Sequence, residues 1–96
     1  MLNDPAFTEF AKGLARRMKY DATGDLKDRL TLGYRIATSK LPTPDRVAEL
    51  EALYTKLEQT YTADPGQMQG MAGTPDGAAY TVVASVLLNL DEALIR

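Results

Sequence analysis

A chain of 96 residues, 45% apolar and 25% charged with a formal net charge of −2, has globular composition, since a disordered chain carries fewer apolar residues and a larger net charge. It contains neither cysteine nor histidine, which excludes disulfides, thiolate metal sites, haem attachment through Cys-x-x-Cys-His and the commonest activating base. At this length one modest core can bury roughly 60 to 65% of the surface exposed by the unfolded chain, so the sequence is read as a single domain.

Prolines punctuate it. Asp4-Pro5, Thr43-Pro44, Asp64-Pro65 and Thr74-Pro75 each set a side-chain acceptor before a residue with a fixed helical φ. This is the N-cap and N1 pattern, so four helix starts are expected. The first helix is predicted over Pro5 to Tyr20, with Phe7, Phe10, Ala11, Leu14 and Met18 forming its buried stripe and Glu9, Lys12, Arg16 and Lys19 its outer face. A second should begin near Asp25 and end before Pro42, with Leu26, Leu30, Gly33 and Ala37 inward. Gly33 costs about 1 kcal/mol against alanine in a helix, and close approach of a neighbouring helix would compensate.

The third helix follows Thr43, with Val47, Leu50, Tyr54, Leu57 and Tyr61 at alternating steps of three and four. From Thr62 to Gly77 glycine and proline break every pattern, which predicts a loop with one helical turn around Gln67 to Met71. The last helix is predicted from Thr74 to the chain end. Ala79, Val82, Val83, Val86, Leu87, Leu90 and Leu94 make it apolar around most of its circumference, the mark of a central helix. The expected fold is all-α, a compact bundle of four main helices with a Gly/Pro-rich loop before the last.

Divided after Arg46, the sequence has nine basic and six acidic residues in its first part, and two basic and seven acidic in its second. Packing one part on the other can satisfy that asymmetry internally, and it falls short of the basic patch that nucleic-acid binding requires. The longest apolar run is too short to span a membrane, and no basic segment is followed by the apolar run of a signal peptide.

The candidate sites each have a plain structural reading. Asp91 and Glu92 are adjacent, diverge by about 100° on a helix and cannot share one substrate atom; Glu92 is placed to pair with Arg96. Asp21, Thr23 and Asp25 alternate like a calcium loop, but Leu26 and Leu32 stand where glycine and glutamate are required. Met68 and Met71 offer two thioethers without the histidine or cysteine that would make a copper site. No metal or cofactor is therefore expected. The tyrosines are expected at core margins, with ring buried and hydroxyl wet. Tyr54, Tyr61, Met68 and Met71 define the one candidate binding face, beside the third helix and the following loop.

Three stretches carry a resemblance: "MLNDPAFTEFAKGL" (Met1 to Leu14), "GYRIATSKLPTP" (Gly33 to Pro44) with an acidic helix after it, and "TVVASVLLNLDEAL" (Thr81 to Leu94). In this order and spacing they resemble the C-terminal part of the planctomycete-specific domain of unknown function, which lies downstream of planctomycete cytochrome c-type domains in large multidomain proteins. The resemblance implies a C-terminal module of a longer, exported and hence periplasmic protein. Its implied partners are the other domains of that parent, a haem domain among them. Asn3-Asp4 and Asn89 to Glu92 are its family-like elements, with an implied role in capping and packing between the first and last helices. It brings no catalytic residues to carry over, and the haem-attachment motif is absent from this chain.

Three readings of function follow. The leading one is a non-enzymatic helical interaction module of a large exported protein. The others are a glycan-binding or catalytic accessory domain of polysaccharide-degrading machinery, and a docking surface for a cytochrome c-type domain.

Overall fold

The computed structural model describes residues 5–68, 71 and 73–94, and the regular elements among them are all helical: α1 (Pro5–Tyr20), α2 (Leu26–Thr38), α3 (Pro44–Ala63), a 3-10 turn (Pro65–Met68) and α4 (Pro75–Leu88). The chain is an all-α bundle of four main helices. Thr43 accepts from the Arg46 amide and Thr74 from the Gly77 amide, each with proline as the next residue. At α2 the Asp25 carboxylate accepts from the Asp28 amide while that of Asp28 accepts from the Asp25 amide, a reciprocal cap. Asp4, the expected cap of α1, lies outside the described residues.

Asp64-Pro65 opens only the short turn. The Asp64 side chain accepts from the Gly66 amide while its own N–H returns to the Thr60 carbonyl and closes α3. The helical turn expected around Gln67 to Met71 therefore comes earlier, and Gln69 and Gly70 lie outside the described residues.

α4 is the central element and packs against α1, α2 and α3. Val83, Ala84 and Leu87 are sealed from solvent, facing Ala11, Leu14 and Met18 of α1, Leu30 and Tyr34 of α2 and Leu50 of α3, while Ala79, equally buried, joins Ala78 in a second cluster with Tyr61 and Met68. The close approach expected at Gly33 is present, since a Cβ added there would stand 2.6 Å from Sδ of the fully buried Met18. Phe10 departs from its predicted stripe. It sits at the margin of the face set by Ala11, Leu14, Ala15 and Met18 and is 53% exposed, beside Ile36 and Leu94 at the rim of an apolar hollow.

α4 also ends sooner than its periodicity predicts, at Leu88. Asn89 takes the cap position and donates from Nδ2 to the Ser85 carbonyl at 2.9 Å. The chain then turns so that the Leu94 amide reaches the Ala37 carbonyl at 2.7 Å. Glu92 accepts a hydrogen bond from the Tyr34 hydroxyl and lies 3.9 Å from Arg46. Asp91 and Glu92 therefore follow the helix instead of occupying its last turn, and Glu92 is answered by α2 and α3. Arg96, its expected partner, lies outside the described residues, as do Asn3 and Asp4.

Candidate functional site

α1 and α3 flank α4 without packing on each other among the described residues, which leaves a groove running along α4. Three clefts that share lining residues make it up. The first, about 520 Å³, lies at the first turn of α4 between Lys12, Arg16 and Lys19 on one side and Met71, Gly73 and Thr74 on the other. The middle one is walled by Thr8 and Lys12 of α1 and by Leu57 and Tyr61 of α3, over a floor of Thr81 and Val82. The third opens over Val82, Val86 and Leu90.

The floor contains little free polarity. Thr81 Oγ1 donates to the Gly77 carbonyl, Ser85 Oγ to that of Thr81, and Asn89 Nδ2 to that of Ser85. Three positions spaced by one helical turn thus direct their side-chain donors back into the helix, a habit of hydroxyl residues inside helices. What remains facing the groove is largely apolar, and Val86 is 38% exposed there.

The charged end is organised around Asp76. The Thr74 hydroxyl donates to its carboxylate, and Lys19 Nζ lies 2.9 Å away. Both hold the Asp76 carboxyl below the usual carboxylate range, the hydroxyl most, and the same ion pair raises Lys19 above its ordinary value. This pair and that of Arg46 with Glu92 bring the basic first part of the sequence onto the acidic second part.

Of the predicted binding face, Tyr61, Met68 and Met71 come together on the wall of the middle cleft, with Tyr61 and Met68 each only 7% exposed. Tyr54 is not among the residues lining that cleft. Its ring packs on Tyr80 with centroids 4.7 Å apart, and burial together with that neighbour pushes its hydroxyl well above the ordinary tyrosine value. Tyr80 in turn accepts from Arg29 Nη1 at 3.1 Å.

Tyr34 and Tyr80 therefore differ from the expected wet hydroxyl, because each is buried and bonded to a charged side chain, and Tyr54 differs because burial withdraws its hydroxyl from water. Lys12, Arg16, Thr81 and Ser85 belong to the groove, although the sequence marks the two cations only as part of a solvated outer face. The repeat of small residues Gly77, Thr81, Ser85 and Asn89 within an apolar helix was the available signal. Among the described residues no three acidic side chains gather where they could hold a metal ion, and no helix is long and apolar enough to cross a membrane.

No protein-family model matches the chain, and comparisons with curated proteins and with solved structures return no match.

Proposed function

We propose that this domain is a non-enzymatic docking module of a larger exported protein, and that the groove along α4 receives a helical segment from another domain of that parent. The exported parent and its neighbouring domains are implied by the resemblance to the planctomycete-specific domain. The observation that carries the docking reading is the conflict between α4 and its surroundings. A helix apolar on all sides belongs in an interior, yet Val86 is 38% exposed and Val82 and Leu90 are only partly covered. A fourth wall over α4 would resolve that conflict.

The nearly buried Tyr61 and Met68 present an apolar wall instead of the open aromatic plate on which a sugar ring stacks. A protein segment therefore suits the groove better than a glycan. The test is an amide NMR titration of the 96-residue chain with the remaining domains of its parent. Shifts centred on Thr81, Val82, Val86 and Leu90, abolished by Val86→Glu in a variant of unchanged helicity, are the expected result. Shifts centred elsewhere, or none, would overturn the proposal.

A further inference from the structure

The groove is polarised along its length. Beside the first turn of α4, α1 supplies Lys12, Arg16 and Lys19, answered by the carboxylates of Glu9 and Asp76. Lys19 is engaged by Asp76 at 2.9 Å, whereas the Lys12 pair with Glu9 is 3.6 Å long and open to solvent, an arrangement of little strength. Arg16 forms no ion pair among the described residues. Toward the other end Val82, Val86 and Leu90 carry no charge, and Ser85 and Asn89 are bonded back to the helix.

Resting on the docking reading above, we infer that the occupant is an acidic amphipathic helix. It lays an apolar stripe on Val82, Val86 and Leu90 and sets carboxylates at one end beside Lys12 and Arg16. An apolar floor between two flanking helices is the geometry of helix-in-groove recognition, in which residues at i, i+3, i+4 and i+7 anchor the guest. The cations at one end add what such a groove otherwise lacks, a preference for charge and for direction. A basic guest would set like charges against Lys12 and leave Arg16 unanswered. A second copy of this chain fits poorly, because its own α4 face is recessed between α1 and α3, and two concave faces do not fill one another.

Two 16-residue helical peptides with one leucine stripe, differing only in glutamate or lysine at the same terminal positions, test this against the full chain by amide NMR and calorimetry. The glutamate peptide should bind about tenfold more tightly, shift Val82 and Val86 together with Lys12 and Arg16, and lose most of that advantage in 0.5 M salt as screening shortens the reach of the cations. In Lys12→Glu/Arg16→Glu, whose side chains are exposed, the preference should reverse in favour of the lysine peptide. Equal binding of both peptides at Val82 and Val86 would overturn the charge inference and leave the docking reading standing. Binding of neither would overturn both, as would groove shifts produced by dodecanoate alone, which would assign the groove to an acyl chain.

Discussion

The Tyr34 hydroxyl, from the middle of α2, donates to the carboxylate of Glu92 and fastens the segment after α4 onto the bundle. The bond holds the Glu92 carboxyl below its ordinary range, with Arg46 adding to the effect, and raises the Tyr34 hydroxyl above its own. A depressed carboxyl contributes stability above its unfolded value and loses it as pH falls through the folded one. A raised hydroxyl contributes below its unfolded value and loses it as pH rises through the folded one. The contact therefore operates from the carboxylate range up to the tyrosine range. In Tyr34→Phe the side-chain carboxyl resonance of Glu92 should titrate at higher pH than in the parent chain, with Tm lower by a few degrees at neutral pH. An unchanged titration would show that the bond does not form in solution.

Gly33 and Met18 make a second pairing open to test. Alanine is the better helix former by about 1 kcal/mol, but a Cβ at position 33 would collide with the fully buried Met18 side chain, which would have to repack within the core. Gly33→Ala should therefore destabilise by about 1 to 3 kcal/mol in urea unfolding. Combining it with Met18→Ala should cost less than the two single changes together. A stabilised Gly33→Ala would mean that α1 and α2 stand further apart.

Adjacent residues of α4 should behave very differently. Leu87 is fully buried and Leu87→Ala should cost about 2 to 5 kcal/mol through the cavity it leaves. Val86→Ala, one position earlier on the open side, should stay below about 1 kcal/mol. Comparable losses in the two variants would show that the groove is closed in solution.

Thr74 caps α4 through the Gly77 amide and also donates to Asp76. Thr74→Ala should cost about 0.5 to 2 kcal/mol, and the Asp76 carboxyl should titrate higher once its first donor is gone. Since that group is depressed in the folded state, the part of stability it contributes should fade as the solution is acidified through the carboxylate range, and should fade at higher pH in the variant. Denaturant melts at a series of pH values read both effects.

The helix starts were legible because they are local. A threonine or aspartate before proline satisfies the first amides with atoms two or three residues away, so α3 and α4 begin where their prolines stand. Asp64-Pro65 has the same signature and yields a single turn, because the glycine that follows and the density of Gly and Pro beyond it give a helix nothing to propagate on.

The end of α4 was not legible. It depends on Glu92 meeting Tyr34 and on the Leu94 amide meeting Ala37, partners 58 and 57 positions away that no short window contains. The site was legible in half. All-round apolarity marked α4 as central, but the pattern has no direction in it, so it could not tell which side α1, α2 and α3 would leave open. Tyr61, Met68 and Met71 were found by residue type, whereas Lys12 and Arg16 read as an ordinary solvated face until α1 was placed beside α4.

The position of α4 has a consequence for how the chain is made. The element on which the other three converge is the last of the four helices in sequence, so during synthesis α1, α2 and α3 emerge without their common partner. Chains begin to fold from the N-terminus as they are extended, but here the core cannot close until residues 75–88 are delivered. A product stalled before that helix would expose the apolar faces that α1, α2 and α3 turn toward it, a species suited to capture by chaperones or proteases, and delivery of α4 would itself be the trigger for folding.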